Sequence, residues 1–150
     1  MTENNGLILK LARTFPAPRL AVWQKMTDPR QLARWWGPNG FTVPALDFEP
    51  RVGGKYRITM QPPDGERFHL HGEFLEVEAP SRLSYTFVWE PPDRDDRETV
   101  VTLGLEARGD ETEVTLTQAE FATRARLELH RGGWSESFEK LVGELRETRP

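Results

Sequence analysis

Two histidines separated by one residue are the first feature of this sequence with the chemistry of a metal site. His69 and His71, in the motif "HLH", share one side of a strand, because side chains alternate along an extended chain. A site would need a third ligand, such as Glu73 or Glu120, and His130 is the only other imidazole. Histidines at alternate strand positions are more often exposed cross-strand partners. We therefore predict that the protein holds no metal and needs no cofactor.

Aromatic side chains alternate along two further segments. One face of "LSYTFVW" carries Leu83, Tyr85, Phe87 and Trp89, and one face of "YRITM" carries Tyr56, Ile58 and Met60. For Leu83 and Ile58 the simplest interpretation is a dry core. Tyr85 and Trp89 have polar ends that need partners when buried, which suits the wall of a cavity better. The candidate wall residues are Met60, Tyr85, Phe87 and Trp89 from these segments, together with His71 from the "HLH" motif.

The last segment of strand-like alternation ends in polar residues. In "TEVTLTQAEF" the residues Val114, Leu116, Gln118 and Glu120 share a face. If that face is internal, Gln118 and Glu120 give an otherwise apolar pocket one or two polar anchors. The alternative is that the strand has already left the sheet by Gln118.

The motif "RWWGPNGF" places two tryptophans immediately before a turn. Gly37, Pro38 and Gly40 cannot continue a helix, so the chain reverses here. We predict that Trp35 fills the seam between the preceding short helices and the sheet. Trp36, with Phe41, then forms a wall of the cavity, although the pattern alone leaves open which ring takes which role.

The C-terminal segment returns to helical spacing. One broad face carries Leu127, Trp134, Phe138, Leu141, Val142 and Leu145. Gly132 and Gly133 should interrupt the helix, which leaves a main helix from about Trp134 to Glu147. Trp134 and Phe138, one turn apart, are predicted to face the concave side of the sheet and to contact a ligand there.

The hydrophobic pattern of the rest of the chain predicts the helices and strands that position these residues. "LILKLARTF" predicts a first strand, and "PRLAVWQKM" a short helix with Leu20, Trp23 and Met26 at helical intervals. Asp28 and Pro29 begin a second short helix. Six strand-like runs with short turns follow, so we predict an α+β fold with a curved antiparallel sheet of about seven strands wrapped around the C-terminal helix.

Composition narrows the functional classes. The chain has 150 residues, a formal net charge of −4 and no cysteine. An acidic balance without a basic cluster argues against nucleic-acid binding. Neither a signal peptide nor a run of about 18 apolar residues is present, so we expect a cytoplasmic protein without membrane insertion. The length and the lack of a linker predict one domain over residues 1–150.

The order of motifs resembles a known family. The segments "FPAPRLAVWQKMTDPRQLARWWGPNGFT", "DFEPRVGGKYRITM", "GEFLEVEAPSRLSYTF" and "HRGGWSESFEKL" are similar to the START-like helix-grip (SRPBCC) superfamily. Within it they resemble the bacterial AHSA-type proteins, named after an activator of a heat-shock chaperone ATPase. The resemblance covers nearly the whole chain and implies the helix-grip fold. Many such proteins carry a histidine where this sequence has Gln118, so no mechanism that needs that imidazole is implied.

Three functions remain open. The first is binding of a small hydrophobic molecule, such as a lipid, in a cavity between the sheet and the C-terminal helix. The second is an enzyme in that cavity, with Glu120, Gln118, Tyr85 or His71 as acid–base groups, because the resembling superfamily includes cyclases and hydrolases. The third is chaperone regulation or stress response, which only the family name suggests and for which 150 residues leave no second domain. We favour the first. A homodimer is left open.

Overall fold

The computed structural model describes residues 6–92 and 94–147. In chain order it contains β1 (Leu9–Phe15), α1 (Arg19–Thr27), α2 (Pro29–Leu32), β2 (Thr42–Phe48), β3 (Lys55–Gln61), β4 (Phe68–Glu78), β5 (Arg82–Glu90), β6 (Thr99–Arg108), β7 (Glu111–Ala119) and α3 (Arg124–Glu147). The predicted order of one strand, two short helices, six strands and a long helix is confirmed.

The strands form one antiparallel sheet in the order β1-β7-β6-β5-β4-β3-β2. Consecutive strands from β2 to β7 are neighbours, because the turns between them are too short for a crossover. The first strand pairs with the last, for example Leu11 opposite Leu116. The first and last strands in the chain are therefore neighbours, at one edge of the sheet.

One face of the sheet is apolar and packs on α3. Its buried residues alternate along the strands, as in Leu83, Tyr85 and Phe87 of β5. The inward face of α3 carries Leu127, His130, Trp134, Ser137, Phe138, Leu141, Val142 and Leu145. Sheet and helix therefore share one continuous core, which also includes the buried side chains of α1 and α2.

The two short helices are joined through Asp28. Its side chain accepts a hydrogen bond from the backbone N–H of Arg30, and Pro29 occupies the first turn of α2, as predicted. Leu20 departs from the predicted packed face of α1, because 58% of its surface is exposed. The other two predicted positions, Trp23 and Met26, are buried, and Val22 and Lys25 are buried beside them.

The predicted break at Gly132 and Gly133 is wrong. Helix α3 runs without interruption from Arg124 to Glu147, with both glycines in its interior. Each glycine costs about 1 kcal/mol relative to alanine in a helix. His130 and Trp134 are buried on either side of the glycines, and burial of such large side chains outweighs that cost.

The outermost strands are β1 and β2. Strand β2 contains Pro44, and its register against β3 shifts between Thr42 and Ala45. Within the described parts of the chain, no helix has both the length and the apolar character required to cross a lipid bilayer.

Candidate functional site

A small gap lies in the core between the short helices and the sheet. Its volume is about 10 Å³, roughly the space that one water molecule requires. We call it the Tyr85 gap, and it is lined by Met26, Leu32, Trp35, Trp36, Phe48, Tyr56, Ile58, Leu83, Tyr85 and Leu103. Of the predicted site residues, Trp36 and Tyr85 are thus brought together here. The predicted cavity is therefore reduced to a small gap in this structure.

The two tyrosines of the gap differ in how their hydroxyls are satisfied. The Tyr56 hydroxyl donates a hydrogen bond to the backbone oxygen of Thr86 at 2.6 Å. The Tyr85 side chain is 4% exposed, and within residues 6–92 and 94–147 its hydroxyl makes no hydrogen bond. Burial raises the pKa of Tyr85, so this hydroxyl stays protonated and keeps a hydrogen to donate.

Both adjacent tryptophans line the gap, and they differ in their other contacts. Trp35 is 1% exposed, and its indole N–H donates to the backbone oxygen of Lys25 in α1 at 2.9 Å. This bond fixes Trp35 in the seam between the short helices and the core. The ring of Trp36 packs edge-on against Trp134, with centroids 5.1 Å apart. Trp134 in turn lies 5.9 Å from Phe138, so both helix residues face the core as their spacing predicted.

The polar atoms beside Trp134 are all paired. Gln118 is 0% exposed and lies within β7, so the alternative that the strand has left the sheet is wrong. Its side-chain oxygen accepts the indole N–H of Trp134 at 2.9 Å. Its side-chain nitrogen donates to the hydroxyl of Thr99 at 2.8 Å. Gln118 therefore links sheet and helix, and these bonds already occupy the groups that would anchor a ligand.

A second hydrogen-bonded pair joins the half-buried Trp89 to the buried His130. The indole N–H of Trp89 donates to Nε2 of His130 at 3.2 Å. The imidazole is surrounded by aromatic rings, with Phe87 at 5.2 Å and Phe121 at 4.9 Å between centroids. Burial, with a smaller contribution from the charge of Arg126, lowers the pKa of His130 to about 4. The ring is therefore neutral at pH 7, as an acceptor for Trp89 must be.

We call these five polar residues the paired cluster: Trp89, Thr99, Gln118, His130 and Trp134. His130 was missed as a site residue by sequence reasoning. It lies four residues before Trp134 and eight before Phe138, so the same helical spacing that identified those two would have placed it on the inward face.

His71 does not line the interior. Its neighbours Leu70 and Gly72 are buried, and the alternation along β4 therefore directs both His69 and His71 to the outer face. There the imidazole of His71 contacts Glu90, which also receives two hydrogen bonds from Arg57. Across the described residues, no three His, Cys, Asp or Glu side chains are grouped to hold a metal.

The other predicted wall residues lie at the margins of the core. Met60 is buried beside the turn after Trp36, and its sulfur lies 3.5 Å from the position a Cβ would take on Gly37. Phe41 is half-buried, with its ring 6.3 Å from that of Phe68. Glu120 follows the end of β7 and is also half-buried, and its backbone oxygen accepts a hydrogen bond from Arg97.

The sequence matches a known protein family over most of its length. The family model described as "Activator of Hsp90 ATPase homolog 1-like protein" matches residues 16–146. Curated proteins give no match to the sequence.

Solved structures share the fold over almost the entire chain. The AHSA1 protein from Silicibacter pomeroyi is 29% identical with a TM-score of 0.84, and the match covers 95% of this chain and 99% of that one. A protein from Chromobacterium violaceum is 25% identical with a TM-score of 0.84, covering 92% and 96%. A protein from Arthrobacter aurescens is 28% identical with a TM-score of 0.81, covering 98% and 90%. The chain therefore belongs to the AHSA1 family, within the helix-grip (SRPBCC) superfamily.

Proposed function

We propose that this protein binds a small, mainly apolar molecule that carries one hydrogen-bonding group. The observation that carries the proposal is the unpaired hydroxyl of Tyr85 in a gap that is otherwise lined by apolar and aromatic side chains. Leaving a buried hydroxyl without a partner costs about 1–3 kcal/mol. A ligand acceptor beside Tyr85 removes that cost, whereas the indole N–H groups of Trp89 and Trp134 and the side-chain amide of Gln118 already have partners.

The ligand takes the place of a side chain, because a gap of about 10 Å³ is too small for an organic molecule. Trp36 is the side chain best placed to yield. It lines the gap, and it belongs to a turn rather than to a helix or strand. Outward movement of its indole leaves a space of aromatic size between Tyr85 and Trp134. The ligand class is accordingly a compact aromatic or cyclic molecule with an acceptor at one end.

Binding of 2-naphthol and of naphthalene tests this proposal. The two molecules have the same apolar body, and only 2-naphthol has a hydroxyl that can bond to Tyr85. We expect 2-naphthol to bind about tenfold more tightly, since one net hydrogen bond contributes about 1 kcal/mol and a partnerless Tyr85 adds to the difference. Quenching of tryptophan fluorescence or calorimetry measures both affinities.

Tyrosine-to-phenylalanine variants supply the matched control. Tyr85→Phe should abolish the preference for 2-naphthol and leave naphthalene binding unchanged. Tyr56→Phe removes a hydroxyl that is already bonded to Thr86, so the preference should persist. Equal affinities of the wild type for the two molecules, or no binding of either, would contradict the proposed function.

The other hypotheses have less support. The family description associates its namesake with activation of the Hsp90 ATPase. If this protein had that activity, adding it to the chaperone of its host would raise ATP turnover in proportion to its concentration, and we expect no change. An acid–base enzyme would require a free proton acceptor in the core. His130 is committed to Trp89, and the high pKa of Tyr85 makes it a donor only.

A further inference from the structure

The turn that begins at Trp36 contributes one wall of the Tyr85 gap. We call residues 36–41 the Trp36 turn. Trp36 lines the gap and begins this turn, so any displacement of the turn moves a wall of the gap. The turn lies outside every helix and strand, and it connects α2 to β2.

Three side chains of α3 hold the turn in place, and we call them the latch: Glu136, Ser137 and Lys140. The carboxylate of Glu136 accepts the backbone N–H of Asn39 at 2.8 Å. The Ser137 hydroxyl donates to the backbone oxygen of Gly37 at 3.0 Å. The Lys140 ammonium donates to the backbone oxygen of Pro38 at 3.2 Å. All three bonds run from helix side chains to backbone atoms of consecutive turn residues.

Every group of the latch has a substitute partner when the turn leaves. The hydroxyl of Ser137 already lies 2.9 Å from the backbone oxygen of Gly133 in its own helix. Glu136 and Lys140 are half-buried, so water reaches both charged groups once the turn moves. Opening therefore exchanges hydrogen bonds and leaves no buried charge without a partner.

Two glycines give the turn its freedom to move. Gly37 has φ +96° and Gly40 has φ +85°, values that glycine adopts without strain. They flank Pro38 and Asn39, which make two of the three latch contacts. A short segment between two permissive residues is suited to move as a unit.

A surface cleft of about 190 Å³ adjoins the latch. Leu11 and Phe138 line it, together with Asn39 and Glu136 of the turn and latch. From Phe138 the aromatic rings lead inward through Trp134 to Trp36, with centroid distances of 5.9 and 5.1 Å. These rings connect the lining of the cleft to the lining of the Tyr85 gap.

We propose that the Trp36 turn is a lid over the Tyr85 gap, held shut by the latch, and that the ligand passes through the cleft beside Glu136. The route depends on the proposed ligand-binding function, whereas the lid movement does not. The experiments below therefore test the movement without a ligand and the route with one.

Hydrogen–deuterium exchange of residues 36–41 tests the movement. Each of Glu136→Met and Lys140→Met removes a hydrogen bond of the latch, so exchange in the turn should accelerate about fivefold. Glu128→Met is the matched control, because Glu128 is an exposed glutamate of the same helix whose ion-pair partner in the described part of the chain is Arg131. Its exchange in the turn should equal that of the wild type. Unchanged exchange in both latch variants overturns the lid.

A reversible cross-link tests the route. A Cβ on Gly133 would lie 3.8 Å from Cγ of Pro38, so side chains at these two positions are within reach of each other. The chain has no cysteine, so Pro38→Cys with Gly133→Cys creates a single possible bond. With 2-naphthol as the probe, oxidation should slow association at least about tenfold, and reduction should restore it. Equal rates in the oxidised and reduced forms overturn the route.

The outcomes also separate this inference from the proposed function. Loss of the 2-naphthol preference in Tyr85→Phe, with equal oxidised and reduced rates, supports the site and overturns the lid as its entrance. Faster exchange in the latch variants, with no binding of 2-naphthol to the wild type, supports the lid movement and overturns both the ligand site and the route.

Discussion

The Tyr85 gap and the paired cluster lie in the same core and are both lined by aromatic rings. In the paired cluster each polar side chain meets another, as Gln118 meets both Thr99 and Trp134. In the gap Tyr56 is bonded to the backbone, whereas the hydroxyl of Tyr85 has no hydrogen-bond partner among the described residues. The two regions therefore differ in how their polar side chains are hydrogen-bonded.

This difference teaches how to separate structural from functional polar groups in a core. A buried polar atom with a partner contributes to stability, and its removal leaves the partner unsatisfied. A buried polar atom without a partner costs stability, and a ligand can reverse that cost. We accordingly expect substitutions in the paired cluster to destabilise the fold, and substitution of Tyr85 to alter ligand selectivity instead.

The largest effect is expected from Trp134→Ala. The truncation removes a buried indole and leaves the oxygen of Gln118 without its donor, and it should lower the free energy of unfolding by about 3–5 kcal/mol. Urea denaturation measures the change. Trp134→Phe is the control, because it keeps most of the ring and should lose only about 1–2 kcal/mol. A loss below about 1 kcal/mol for Trp134→Ala would show that Trp134 and its bond to Gln118 contribute little to stability.

Acid should weaken the paired cluster through His130. The unfolded chain binds a proton at this residue below its ordinary pKa of 6.5, whereas the folded protein resists protonation down to about pH 4. Stability therefore falls as the pH drops through this window, by about 3 kcal/mol for this residue.

Comparison of the wild type with His130→Gln isolates that contribution. Glutamine keeps an acceptor for Trp89 but does not titrate, so its unfolding free energy should decrease less between about pH 7.5 and about pH 4.5. Carboxylates titrate in both proteins and cancel in the difference. Parallel pH profiles for the two proteins would show that His130 is not held neutral by the core.

Substitution of the two tyrosines by phenylalanine should have different effects on the free energy of unfolding. Tyr56→Phe breaks the bond to Thr86 and should destabilise the fold by about 1–2 kcal/mol. Tyr85→Phe removes an unpaired hydroxyl and should leave stability unchanged or raise it by about 1 kcal/mol. Thermal unfolding of the two variants side by side measures this. Equal destabilisation would indicate that Tyr85 has a partner after all and would remove the contrast between the regions.

The smallest effect on stability is expected from the histidines on the outer face of the sheet. Replacing His69 and His71 together with alanine should change stability by less than about 1 kcal/mol, because His71 and Glu90 form an exposed pair. Elemental analysis of protein prepared without chelator should show no bound transition metal. Stoichiometric zinc that disappears in the double variant would contradict the prediction of metal independence.

Periodicity predicted the architecture well, because strand and helix spacing is local information. The seven strands, the Asp28 cap and the inward positions of Trp134 and Phe138 all follow from such spacing. The break at the glycines of α3 failed because tertiary burial on both sides outweighed a local preference. The prediction that His69 and His71 share one side of β4 was correct, but the prediction that His71 lines the cavity was wrong. Alternation alone does not tell which side of a strand faces inward.

Hydrogen-bond partners could not be predicted in the same way. The donors and acceptors that meet Gln118 come from β6 and α3, and their relative positions depend on packing of the entire core. The lack of a partner for Tyr85 is harder still to predict from the sequence, because it depends on the positions of all the residues that surround the hydroxyl. The sequence identified both residues as candidates, and only the three-dimensional arrangement distinguishes their roles.

The proline in the outermost strand β2 has a consequence for solubility. A free strand edge is a template onto which another chain can add, and such pairing leads to aggregation. Pro44 has no backbone N–H to offer, and the register shift around it interrupts the regular ladder. Replacing Pro44 with valine would restore a continuous edge. We expect the principal cost to be intermolecular association at high concentration, detectable by light scattering, while the folded monomer stays intact.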